Sequence, residues 1–99
     1  MEQLQNESIK RLYRIIAAAE SPEECRELLE DLCTVGELED MAQRLDAAFL
    51  LENGKNYQDI SDSLGLSTAT ISRVSKALKY GSGYKRAIER ERTQKERNA

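Results

Sequence analysis

The side chains best suited to chemistry in this sequence stand between Tyr57 and Leu78, in the run YQDISDSLGLSTATISRVSKAL. What they offer is polar recognition rather than bond breaking. If the stretch from Thr68 to Leu78 is helical, Ile71, Val74 and Leu78 share one side at spacing i, i+3, i+7. Thr68, Ala69, Ser72, Arg73 and Lys76 are then left on the other. Short residues near the start of such a helix let it sit deep in the major groove of double-stranded DNA, and cations further along reach phosphates or guanine edges. No acid stands between Asp62 and Glu89 to oppose a polyanion.

Other chemistries are excluded by composition. The chain has no His, which removes Ser-His and Cys-His nucleophile pairs, His-ligated zinc and the usual neutral-pH acid–base group. Its two Cys cannot supply the four thiolates of an all-cysteine zinc site. Neither phosphate-cradling glycine motif, G-x-x-x-x-G-K-[ST] or G-x-G-x-x-G, is present. No enzyme, catalytic residue, metal or cofactor is expected. Cys25 falls on an apolar stripe and Cys33 beside Leu32, where a free thiol packs as a small hydrophobe.

The candidate recognition helix needs a partner to aim it, and the residues before it supply one. Asn56 can cap a helix starting at Tyr57, with Asp59 three residues behind it. Two turns of that helix put Ile60 and Leu64 inward. Gly65 follows where the chain must turn with positive φ. Leu66 fills the corner, Ser67 caps the next helix, and small Ser61 suits a close crossing. The spacing is that of a helix-turn-helix over residues 57–78.

The rest of the chain is read as all-α. Ile9, Leu12, Tyr13, Ile16 and Ala19 keep helical spacing over roughly residues 3–19. Ser21-Pro22 opens a second helix with stripe Cys25, Leu28, Leu29 and Leu32. Thr34 to Glu37 has capping-box spacing, and the third helix it opens carries Leu38, Met41, Ala42, Leu45 and Phe49 before Asn53-Gly54 ends it. No segment alternates with period two for long enough to form a strand. After Gly81-Ser82-Gly83, expected to be a flexible break, Tyr84, Ala87 and Ile88 suit a short final helix packed on the body. Residues 89–99 read as a charged tail, frayed or disordered and mostly solvated, because Glu89, Glu91 and Glu96 interleave with its cations.

The 99 residues fit one domain, assigned to residues 1–88, and their net charge of −3 conceals an asymmetry. Residues 1–54 carry five basic and thirteen acidic side chains, net −8; residues 55–99 carry ten basic and five acidic, net +5. Such a split suggests a polyanion-binding half joined to an acidic half with another task. The three apolar-striped helices over about residues 3–54 have few bulky partners in a chain with five aromatic residues, so a second copy is expected to complete their core. No apolar run approaches the ~18 residues of a membrane span. The opening MEQLQNESIK lacks a signal-peptide layout, so a reduced cytoplasmic setting is expected.

With these residues in place, the chain resembles the Trp repressor superfamily, and within it the small Trp-repressor-like proteins of the YerC/YecD type. The resemblance runs from about Leu28 to Ala87 and is most specific over Leu64–Lys79, where Ala69-Thr70-Ile71-Ser72-Arg73 stands. It implies an intertwined homodimer of six-helix chains, each presenting one helix-turn-helix, with half-sites about 34 Å apart on DNA. By family position the DNA-facing residues are Tyr57, Gln58, Ser61, Thr68, Ala69 and Ser72, to which the outward face adds Arg73 and Lys76.

The namesake also takes L-tryptophan as corepressor, and the resemblance places Thr34 at the ligand amino group and Arg44 and Arg73 on either side of the indole. One residue fewer separates Arg44 from Tyr57 than in the family pattern. Val74 replaces the Gly that leaves room for the indole, and Ala77 replaces a Ser. A branched side chain in that slot overpacks by ~1–3 kcal/mol, roughly 5- to 150-fold in affinity. The expected function is a DNA-binding transcriptional repressor that works without tryptophan. A protein-interaction adaptor and a tryptophan-dependent repressor are the alternatives.

Overall fold

Side-chain caps set the start of most helices. In this computed structural model, which describes residues 6–98, the Asn6 carboxamide oxygen accepts from the Ile9 amide at 2.8 Å and opens α1, Glu7–Ala17. Residues 3–5 of the helix expected from about residue 3 lie outside the described residues. Ser21 accepts from the Glu24 amide at 3.1 Å to open α2, Pro22–Leu32, with the proline in its first turn. Thr34 and Glu37 form the reciprocal box ahead of α3, Val35–Glu52: the Glu37 amide donates to Thr34 Oγ1 at 3.1 Å and the Thr34 amide to Glu37 Oε1 at 2.8 Å. Gly54, at φ +85°, turns the chain after α3. Asn56 caps α4, Tyr57–Leu64, and Ser67 caps α5, Thr68–Tyr80. A last helix, α6, runs over Gly83–Asn98.

Six helices and no strand make up the described residues, as the all-α reading expects. None of the helices is long and apolar enough to cross a membrane, and no group of three or more His, Cys, Asp or Glu is placed to hold a metal ion among the described residues.

Contacts divide the chain inside α3 into two compact units, one up to Leu38 and one from Glu39. In the first, no residue of α1 or α2 is buried. Leu12, Tyr13, Ile15, Ile16 and Leu32 all stand exposed. Ser8, Arg11, Leu12, Ile15, Leu28 and Leu32 line an open apolar groove of about 240 Å³. Cys25 and Cys33 are free thiols, each half-buried.

The second unit holds the core: Ala47, Ala48, Ile60, Ile71, Val74, Leu78 and Ile88. Phe49, Leu50, Leu51, Leu64, Leu66 and Tyr84 pack around it. α5 is central, packing against both α4 and α6.

On α3 the buried residues are Ala47 and Ala48, whereas Met41, Ala42 and Leu45 of the apolar stripe are exposed in the single chain, like the stripe of α1. Gly81 and Ser82 separate α5, which ends at Tyr80, from α6, which starts at Gly83. The expectation of a short final helix is corrected: α6 continues through residues 89–98 as far as Asn98. On it Ile88 is buried and Tyr84 half-buried, but Ala87 is exposed, because it lies about 100° around the helix from Ile88.

Candidate nucleic-acid interface

The interface candidate is the outer side of α4 and α5, and local bonds fix both helices. The Asp59 amide donates to Asn56 Oδ1 at 2.8 Å and the Thr70 amide to Ser67 Oγ at 3.1 Å, so each helix begins at a defined residue. Between them Gly65 sits in the left-handed region at φ +69°, its amide bonded to the Ser61 carbonyl at 2.9 Å. A residue with Cβ meets a steric cost in that conformation.

Two further bonds hold the turn. Half-buried Ser61 donates its hydroxyl proton to the Leu66 carbonyl at 2.7 Å. The Gln43 carboxamide of α3 donates to the Leu64 carbonyl at 3.3 Å, satisfying the last residue of α4. Gln43 had no signal in the sequence, because a polar residue in mid-helix discloses nothing about which carbonyl it will reach.

Ile71, Val74 and Leu78 face inward from α5 and are buried. Thr68, Ala69, Arg73 and Lys76 are exposed, and Ser72 is half-buried at the edge of the face. Tyr57 and Gln58 are exposed at the start of α4, where the Gln58 carboxamide donates to Asp62 Oδ1 at 2.9 Å. The eight residues expected to meet DNA therefore all lie on the α4–α5 pair. Ser61 is the one whose hydroxyl proton is already engaged.

Tyr80 was missed. It is 84% exposed and stands one turn beyond Lys76 and two beyond Arg73. The same spacing that marked Arg73 and Lys76 would have reached it, had the helix been extended past Leu78.

Charge on this face is not neutralised. The ion pairs among the described residues are Lys10 with Glu7 at 3.7 Å and Arg26 with Glu30 at 3.2 Å, both exposed and both in the first unit. None engages Arg73, Lys76 or Lys79.

The residues expected around an effector fall in both units. Thr34 lies in the first unit, with its hydroxyl oxygen serving the cap of α3, and Arg44 and Arg73 lie in the second. Arg44 is half-buried on α3 and Arg73 exposed on α5. Val74 is 2% exposed, packed in the core between Ile71 and Leu78.

Comparison with known proteins bears on the family and the fold. The family model of the Trp repressor protein matches residues 7–92. The uncharacterized protein YerC of Bacillus subtilis strain 168 is 38% identical over 91 residues, covering 91% of this chain and 88% of that protein. A TrpR-like protein from Eubacterium eligens ATCC 27750 superposes with a TM-score of 0.85 at 36% identity, over 91% of this chain and 94% of its own. A candidate Trp repressor from Staphylococcus aureus gives 0.84 at 37% identity, over 92% of each chain.

Proposed function

The chain belongs to the Trp repressor family, a family of DNA-binding regulators and not of enzymes, and from that premise we propose that it is a homodimeric transcriptional repressor of the cytoplasm that reads the major groove with α5 and needs no tryptophan to do so. The observation that carries this reading is the outer face of α5. Thr68 and Ala69 keep its leading end narrow, Arg73 and Lys76 stand exposed and unpaired, and the opposite face is anchored by Ile71, Val74 and Leu78. A rigid helix with small residues at its tip and free cations behind them is what major-groove docking requires. Tyr57 and Gln58 at the start of α4 extend the contact toward the phosphate backbone.

Pairing of two copies is supported by the first unit. Its apolar side chains, Leu12, Tyr13, Ile15 and Ile16 on α1 and Leu32 on α2, are exposed along helices that bury none of their own residues. Exposed apolar surface of that extent marks an association site, and a two-fold pair would present two reading helices at matching half-sites.

Independence from tryptophan is supported by Val74. The side chain is spent on the core, and the position implied to be open for an indole is filled by it. Ala77 offers no hydroxyl in place of the expected Ser.

Titration of a random-sequence duplex against rising salt tests the reading. Affinity of the parent protein falls steeply with salt, is unchanged by L-tryptophan, and drops by about 1–3 kcal/mol in Arg73→Ala. Binding without salt dependence would leave the surface to a protein partner, and unchanged affinity in Arg73→Ala would remove Arg73 from the interface.

A further inference from the structure

We propose that Tyr80 is a further DNA-contacting residue, whose phenol hydroxyl donates a hydrogen bond to a backbone phosphate at the rim of the groove that α5 enters. The inference rests on the DNA-binding reading of α5 and deepens it, adding a residue which that reading does not use.

Helix geometry places Tyr80 on the same face as the cations. At about 100° per residue, Ile71, Val74 and Leu78 fall within about 60° of arc on α5, and all three are buried. Ala69, Arg73, Lys76 and Tyr80 fall within another arc of about 60°, centred on the opposite side. In direction Tyr80 lies between Ala69 and Arg73. All four are exposed. Because the four share one helix, their alignment is independent of how other helices pack.

Burial does not account for the side chain. Tyr80 is 84% exposed, against 39% for Tyr57 and 54% for Tyr13, and no hydrogen bond engages its hydroxyl among the described residues. What singles it out is its place at the end of the reading face, where an apolar ring with a polar tip suits a surface that is part sugar and part phosphate. The cations beside it fit a polyanion. Lys76 and Lys79 are exposed, and no acid stands between Asp62 and Glu89. Lys79, in the last turn of α5, also offsets the negative end of the helix dipole, which on its own repels a phosphate.

The length of α5 decides between phosphate and base. From Ala69 to Tyr80 the helix rises about 16 Å. The major groove is roughly 12 Å wide and 8.5 Å deep. With Thr68 and Ala69 at the base edges, the last turn of α5 stands outside the groove, level with the sugar-phosphate backbone that borders it. A phenol O–H is among the donors that bind phosphate oxygens there. Being neutral, it releases no counterion, so it strengthens binding without changing the salt dependence.

The test titrates two duplexes of unrelated sequence with the full chain across a salt series, for the parent and for Tyr80→Phe, Tyr80→Lys and Ala87→Lys. Tyr80→Phe removes the hydroxyl alone from an exposed position, which leaves the core untouched. It should weaken binding roughly 3- to 10-fold on both duplexes, with the slope of log affinity against log salt unchanged. Tyr80→Lys puts a cation at the same phosphate and should steepen that slope by up to about 0.9 per chain. Ala87→Lys adds the same charge at an exposed position of α6 and should leave the slope close to the parent's. Parent affinity in Tyr80→Phe would overturn the proposal, as would equal steepening in the two lysine variants, which would mean that net charge is sensed. A loss on one duplex only would also overturn it, making Tyr80 a reader of bases. So would a changed sedimentation coefficient in Tyr80→Phe, which would give the hydroxyl to a contact between copies. A parent protein with no salt-sensitive binding would overturn the α5 reading itself.

Discussion

The helices before Leu38 and those after Glu39 carry apolar residues at the same helical spacings, yet only the second group closes over a core. Ile60, Ile71, Val74, Leu78 and Ile88 disappear from solvent together with Ala47 and Ala48. In the first group Tyr13 remains 54% exposed and Ile15 48%. Amphipathic periodicity thus marks a face that wants burial without saying what buries it. Where the partner is the next helix in the same chain, as for α4, α5 and α6, the face is covered. Where it is not, the stripe stays open, and we assign its cover to a second copy. On the reading proposed above the difference also separates tasks, with one unit closing over its own core beneath α5 and the other leaving its apolar face for a second copy.

Deleting core volume in the second unit should show the largest effect. Ile71→Ala is expected to cost about 2–5 kcal/mol, lowering the Tm by about 10 °C or more in a domain of this size. Thermal unfolding followed by circular dichroism reads it. A loss below about 0.5 kcal/mol, the range of ordinary surface changes, would mean that this unit is not a packed core.

Next comes a charge placed on the open face. In an isolated chain Ile15→Glu sits at a half-exposed position and should alter stability by no more than about 0.5 kcal/mol. In a pair of chains it buries an unpaired carboxylate, and the expected loss is about 3 kcal/mol or more, with sedimentation as a monomer at micromolar concentration. A dimer of parent stability would erase the distinction between the two units.

The smallest expected effect belongs to the turn. Gly65→Ala adds a Cβ that meets nothing within 4 Å, so the cost is backbone strain alone, about 1–2 kcal/mol at φ +69°. Loss of DNA affinity beyond that stability change would mean that the crossing of α4 and α5, and not only the surface of α5, is read out in binding.

Much of this architecture was legible because it is local. Asn6 aside, the caps at Ser21, Thr34, Asn56 and Ser67 and the turn at Gly65 follow from residue type and spacing within four positions, and each takes the bond its chemistry suggests. The inward residues of α5 were legible for the same reason. Which residues of α3 are buried within the single chain was not, because that helix carries two apolar sides and the contacts of one chain cover Ala47 and Ala48 while leaving Met41 and Leu45 exposed.

α6 was read too short because interleaved charges look like a tail. Yet Glu, Arg, Gln and Lys all favour helix, and the buried Ile88 gives it an anchor. Of the candidate interface, the residues on α4 and α5 were legible as a face. The engagement of Ser61 with Leu66 and the exposure of Tyr80 depend on where the helices cross and end.

Selection of duplexes from a random library by the purified protein, without and with L-tryptophan, tests the central claim most directly. The account predicts enrichment of a two-fold-symmetric sequence with half-sites about 10–10.5 bp apart, equally strong in both lanes. An enriched site without symmetry would contradict the paired arrangement, enrichment only with tryptophan would contradict the role given to Val74, and no enrichment of any sequence would contradict the assignment of α5 as a reader of DNA.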